Sequence, residues 1–243
     1  MNIIIVDNYD EMSKVAADFI TKEIIAKPNL KLGLATGSTP IGTYKEIIKI
    51  YRNNSKLSFK DVIVFNLDEY VGLSPENEQS YKYFMRDKLF NHIDIKEDNC
   101  YIPNGLALDL EEEARNYDSL LESYGYTDIQ LLGIGDNGHI AFNEPNSQLN
   151  CKTNIVDLKK ETIIANSRFF DSIDEVPKKA ISMGLKGIMS AEKILLLASG
   201  KNKATAIKRM LDDIVLTENP SSVLNLHKNV TIIMDKEAAS LIR

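Results

Sequence analysis

Leu32-Gly33-Leu34-Ala35-Thr36-Gly37-Ser38-Thr39-Pro40 is the stretch that decides the fold class. Leu32 to Ala35 reads as a short buried strand, Gly37 permits a tight turn, and Pro40 suits the first turn of a helix running through Tyr44, Ile47, Ile48 and Tyr51. A strand that turns straight into a helix is the opening half of a βαβ unit, and the same alternation continues in both directions. Upstream, Ile3 to Val6 reads as a buried strand. It is followed by a helix in which Met12, Val15, Ala16, Phe19 and Ile20 recur at helical spacing before Pro28 stops it. Downstream, Val62 to Asn66, Asp128 to Gly133, Ile194 to Ala198 and Val230 to Met234 read as strands. Helices are expected around Tyr81 to Phe90, Leu110 to Tyr124, Asn202 to Leu211 and Lys236 to Ile242. The pattern predicts an α/β protein with a parallel sheet.

The 243 residues show no internal repeat and no Gly/Ser/Pro-rich linker, so one domain spanning 1–243 is expected. Hydrophobic residues make up 44% and charged residues 26%, which describes a chain that folds around a core. A net charge of −6 makes nucleic acid or an anionic membrane a poor partner, so any anionic ligand must be held by a few placed cations. The four-residue apolar run at the start is too short for a signal peptide, and no run approaches the roughly 20 residues of a membrane span; a cytoplasmic location is expected. Cys100 and Cys151 form no CxxC pair and are expected to be free thiols.

Three loops that follow strands can carry chemistry. The first is the turn already quoted: Gly37, Ser38 and Thr39 at a helix N-terminus make a seat for a phosphate, although an ordinary Ser/Thr helix cap has the same residues. The second is Phe65-Asn66-Leu67-Asp68-Glu69-Tyr70, where an apolar strand ends in two carboxylates. Partial desolvation at the strand rim raises carboxylate basicity, making Asp68 a candidate general base. The third is Gly133-Ile134-Gly135-Asp136-Asn137-Gly138-His139-Ile140-Ala141-Phe142-Asn143-Glu144-Pro145. Its GxGxxG is not a dinucleotide motif, because Pro145 interrupts the helix that should follow. The three histidines, His92, His139 and His227, form no zinc signature, so no metal is expected. What remains is a histidine with a carboxylate, Glu144, five residues on, a pair suited to shuttling protons. Arg168, in Asn166-Ser167-Arg168-Phe169-Phe170, and Lys203, in Ser199-Gly200-Lys201-Asn202-Lys203-Ala204, are the candidate cations for a phosphate. The irregular stretch Asn143 to Pro177 suggests a cover over the site, within 145–177.

Taken together and in this order, LATGSTP, FNLDEYVGL, GIGDNGHIAFNEP, NSRFF and SGKNKA resemble the glucosamine-6-phosphate deaminase (isomerase) family over essentially the whole chain. The resemblance implies a Rossmann-like, doubly wound, mostly parallel sheet with helices on both faces. It also implies conversion of glucosamine 6-phosphate to fructose 6-phosphate and ammonia, with no metal or organic cofactor. Asp68 would move the proton between C2 and C1. His139 would open the sugar ring, oriented by Glu144 and Asn137, and Gly37, Ser38, Thr39, Arg168 and Lys203 would hold the phosphate. The partner expected is a small sugar phosphate, bound by a monomer or small homo-oligomer. Some members carry Asp where this chain has Asn137, which leaves Glu144 to supply the negative charge alone. In the longer, allosteric members, cations soon after the NEP segment bind the phosphate of N-acetylglucosamine 6-phosphate. The matching positions here, Asn154 and Val156, are uncharged, so unregulated kinetics are expected. The related 6-phosphogluconolactonases ordinarily show Asp-Glu-Arg after the strand, where this chain has Asp68-Glu69-Tyr70.

Overall fold

The computed structural model describes residues 1–242 except 159–162, 165–169, 171, 173 and 174. Ten strands are present among them: β1 (Asn2–Val6), β2 (Lys31–Leu34), β3 (Ile63–Asn66), β4 (Asp68–Tyr70), β5 (Cys100–Tyr101), β6 (Ile129–Gly133), β7 (Asn154–Asp157), β8 (Lys179–Ser182), β9 (Lys193–Ala198) and β10 (Val230–Asp235). Seven form a wholly parallel sheet in the order β1-β10-β9-β6-β2-β3-β5. The chain builds outward from β2 through β3 to β5, returns to β6, and builds the other way through β9 to β10. The direction of winding therefore reverses between β2 and β6, the place where open α/β sheets bind ligands beyond their strand ends.

Both faces of this sheet are covered. The helices α1 (Tyr9–Ala26), α2 (Ile41–Asn53) and α3 (Tyr81–Lys88) bury Met12, Ile20, Tyr44, Ile47 and Met85 against Leu32, Leu34, Val64 and Leu131. On the opposite face α4 (Leu110–Ser123), the short helix Leu185–Met189 and the helix Ala204–Leu211 bury Leu121, Ile188, Ile207 and Met210 against Phe65, Leu132, Leu196 and Ile232. That is why β9 reads Lys-Ile-Leu-Leu-Leu-Ala, apolar without alternation after its first residue: a strand covered on both faces has no polar side.

Three expectations are corrected. β1 is an edge strand, paired only with β10, and Ile3 and Ile5 are 41% and 48% exposed; the apolar run marks β-propensity there rather than two-sided burial. Lys236 to Leu241 form successive turns rather than a helix: Asp235 caps the start by taking the amide of Ala238, but the segment is too short to propagate. Finally, the main sheet is joined by a second, antiparallel sheet, β4-β8-β7, which the alternation of strands and helices gave no hint of. Cys100 and Cys151 are both free thiols. Among the described residues no helix is long and apolar enough to cross a membrane.

Candidate active site

β9, β6, β2 and β3 lie side by side, so the loops leaving their carboxyl ends share one edge of the sheet. Those loops carry Lys203, His139, Ser38 and Asp68 respectively.

Asp68 opens β4, opposite Ser182 of the antiparallel β8. It is 6% exposed, and no described residue donates a hydrogen bond to its carboxyl group. Burial, reinforced by the neighbouring charge of Glu69, pushes the Asp68 carboxyl up to about 8, a value suited to accepting a proton near neutral pH. Glu69, equally buried, has different surroundings. Its oxygens take the backbone N–H groups of Tyr70 (2.8 Å), Tyr81 (2.9 Å) and Lys82 (2.9 Å), which fastens the N-terminus of α3. Burial raises the Glu69 carboxyl as well, opposed by those three amides. Two adjacent carboxyls thus separate into one that anchors a helix and one left without a partner.

His139 sits in a loop closed by Gly135, whose N–H donates to the His139 carbonyl at 2.9 Å. A Cβ on Gly135 would lie 2.3 to 2.5 Å from the imidazole, so the ring rests directly on the glycine. His139 Nδ1 is 3.1 Å from Glu144 Oε1, an ion-pair contact whose angle falls short of a straight hydrogen bond. Asn137 reaches the imidazole indirectly. Its Nδ2 donates to Glu144 Oε2 at 2.7 Å and its Oδ1 accepts the His139 backbone N–H at 3.1 Å. It therefore orients the carboxylate and the loop, and acts on the ring through Glu144.

At the 37–39 turn, Gly37 has φ 92°, a left-handed conformation that glycine adopts without steric cost. The helix α2 that follows has no side-chain cap, so Ser38 and Thr39 are not spent as an ordinary N-cap and the helix end is left for an anion. A cavity of about 500 Å³ opens beside the turn, lined by Ser38, Thr39 and Ser199 of the β9 loop. Lys203 Nζ meets Asp136 Oδ1 at 2.5 Å. Arg168 lies outside the described residues. Among those described, no group of three or more His, Cys, Asp or Glu side chains is placed to hold a metal ion.

Several supporting residues have no signal in the sequence, because each acts across a long separation. Tyr9 Oη donates to the Ser38 carbonyl at 3.1 Å and accepts the Gly42 N–H at 2.7 Å, tying the phosphate turn to α2 in place of a cap. Asp235, 4% exposed, takes the Ser199 hydroxyl and the Gly200 amide, fixing the turn that leads to Lys203. Ser182 Oγ accepts the Phe142 N–H at 3.1 Å, and Asn143 Nδ2 donates to the Met183 carbonyl at 2.9 Å. Those two bonds pin the His139–Glu144 loop to the small sheet that carries Asp68.

Residues 7–233 match the family of glucosamine-6-phosphate isomerases and 6-phosphogluconolactonases. The glucosamine-6-phosphate deaminase of Thermoanaerobacter sp. (strain X514) is 58% identical over 242 residues, covering 100% of this chain and 95% of its own. That of Clostridium perfringens (strain 13 / Type A) is 52% identical over 243 residues, covering 100% of both. The solved structure of a monomeric glucosamine-6-phosphate deaminase superposes with a TM-score of 0.96 at 48% identity, covering 99% of this chain and 100% of that one. A 6-phosphogluconolactonase from Trypanosoma cruzi shares the fold, with a TM-score of 0.78 at 22% identity over 99% of this chain and 96% of its own. Matched by the family over residues 7–233 and by its relatives over the whole length, the chain belongs to the glucosamine-6-phosphate isomerase/6-phosphogluconolactonase family, and within it to the glucosamine-6-phosphate deaminases.

Proposed function

We infer that this chain converts D-glucosamine 6-phosphate and water to D-fructose 6-phosphate and ammonia, in the breakdown of amino sugars and without metal or organic cofactor. The observation that carries the reading is the buried Asp68 carboxyl, to which no described residue donates a hydrogen bond, fixed to the same small sheet as the His139–Glu144 loop. The imidazole of His139 passes the proton of the C1 hydroxyl to the ring oxygen, opening the ring to the aldehyde, with Glu144 offsetting the charge it gains. Asp68 then takes the proton from C2 and returns it to C1 through an enolamine, while one proton of the substrate ammonium passes to O1, which leaves a protonated imine at C2. Water adds there and ammonia departs, so one water is consumed for each ammonia released. The ammonium group on C2 of the bound substrate favours the ionised form of Asp68, countering the burial that holds its proton in the free enzyme.

Gly37, Ser38, Thr39, Lys203 and Arg168 hold the phosphate, and part of 145–177 covers the site. The phosphate is chemically unchanged in the reaction, so its ligands contribute mostly uniform binding. Lys203→Ala should raise KM about tenfold or more, the worth of a charge-assisted hydrogen bond, with little change in kcat. A large fall in kcat at unchanged KM would place Lys203 at the reacting carbons instead.

The test of the activity itself is ammonia release from glucosamine 6-phosphate in the presence of EDTA. Release separates the deaminase from the lactonase and from any metal-dependent reaction; its absence overturns the reading. The structural relative is a monomer, and this chain is proposed to act as one. Rates should follow a hyperbola. Asn154 is engaged by Asn150 Nδ2 and the Lys152 carbonyl, both at 2.9 Å, and among the described residues no Lys or Arg lines the neighbouring cavity of about 250 Å³. Without differential affinity for two states an effector cannot shift them. N-acetylglucosamine 6-phosphate should therefore leave the saturation curve unchanged, and a sigmoidal curve that it makes hyperbolic would contradict this.

A further inference from the structure

Of the residues proposed to hold the phosphate, Lys203 is the described cation, with Lys45 lining the cavity beside the 37–39 turn, yet Lys203 is not open. Its side chain is 18% exposed and its Nζ meets Asp136 Oδ1 at 2.5 Å. The same oxygen accepts Asn202 Nδ2 at 2.9 Å, so two consecutive residues of the β9 loop converge on one carboxylate of the β6 loop. Asp136 is 62% exposed and sits between Gly135 and Asn137, next to the machinery, where a charge on His139 also favours its ionised form. Burial pulls its carboxyl upward, but the bond and charge of Lys203, helped by Asn202, outweigh this and hold it below the usual carboxylate range. It is an anion at every pH where the enzyme would work.

We propose that Asp136 is an internal competitor for Lys203, a built-in anion that sets the affinity for phosphorylated substrate below what the cation alone would give. The inference rests on Lys203 as a phosphate ligand. A phosphate oxygen has to take the place of Asp136 Oδ1 at the Lys203 ammonium, so part of the worth of that contact is offset by the ion pair it replaces. Because Asp136 is largely exposed, solvent screens its direct field at the phosphate, and the competition for Lys203 is correspondingly modest. Asp136 is an affinity-determining residue rather than a catalytic one.

Asp136→Asn keeps the shape and a bond acceptor for Asn202 while removing the charge. KM for glucosamine 6-phosphate, and the inhibition constant of inorganic phosphate as a competitor, should both fall about two- to fivefold, with less effect at high salt. An unchanged or raised KM overturns the proposal, since it would mean that the carboxylate serves only to order Lys203. Lys203→Ala and the double variant complete the cycle. Lys203→Ala should raise KM, and Asp136→Asn should then have no further effect. A decrease in KM that persists without Lys203 shows that the charge acts elsewhere and overturns the mechanism. If Lys203→Ala leaves KM at the wild-type value, the phosphate role of Lys203 fails first, and the two failures are told apart. Thermal unfolding of each variant checks that the exposed substitution leaves the fold intact.

Discussion

Asp68→Asn lowers kcat by ~10² to 10⁴ while the substrate still binds, because the amide cannot accept the C2 proton and the phosphate turn is untouched. Exchange of solvent hydrogen into C1 of fructose 6-phosphate isolates this step from ammonia release, and near wild-type exchange in the variant would remove Asp68 from the base role. The wild-type pH profile carries the same signature. Activity needs the ionised carboxylate, and burial pushes that group up to about 8, so kcat/KM of the wild-type enzyme should fall as pH drops below that value. Stability should run the other way. A carboxyl whose folded value is raised above its unfolded one stabilises the fold while protonated, and that contribution is lost as pH rises through about 8. Asn cannot ionise. Asp68→Asn should therefore be the more stable protein above pH 8, by ~1 kcal/mol or more, about 2–4 °C in Tm, with the difference disappearing below the unfolded carboxylate range. Loss of activity with a gain in Tm at high pH is an outcome that a merely structural role for Asp68 does not produce.

Gly135→Ala should cost kcat a comparable ~10² or more without unfolding the chain. The new methyl carbon would stand 2.3 to 2.5 Å from the His139 imidazole, whose ring atoms are the three nearest it meets. The backbone of Gly135 is not left-handed, so alanine fits the chain itself, and the strain falls on the ring, which must swing off its place beside Glu144. Ring opening is lost, whereas the phosphate turn and Asp68 remain. The expected result is a collapsed kcat, near-normal KM and a Tm within a few degrees of wild type. Wild-type turnover would show that the imidazole works from a different position.

Local sequence carried much of this. The alternation of strands and helices was legible because each strand-to-helix unit, such as Leu32 to Tyr51, is encoded within a few turns by periodicity, a glycine turn and a proline start, whereas the doubly wound order came from the family resemblance. The rim position of Asp68, His139, Glu144 and the 37–39 turn was legible because each follows the carboxyl end of a buried parallel strand, where open α/β sheets place their ligand loops. Burial of β1 was misread because an apolar run states β-propensity and cannot tell an edge from a centre, which depends on where the last strand, β10, inserts. The same limit hid the antiparallel β4-β8-β7 sheet, whose strands Asp68–Tyr70 and Lys179–Ser182 are three and four residues long and more than a hundred apart.

What the tertiary structure alone decided is how the motif residues differ from one another. Asp68 and Glu69 are neighbours of like chemistry, yet only three-dimensional packing brings three amides, two of them from the start of α3, to one and none to the other. Asn137 acts on Glu144 rather than on the imidazole, and Lys203 is held by Asp136, because the loops after β6 and β9 leave adjacent strands of the sheet. Residue type and spacing determine which groups this chain has available. Desolvation and hydrogen-bond partners, which depend on contacts between segments far apart in sequence, determine which of those groups holds a proton, which holds a helix and which is left for substrate.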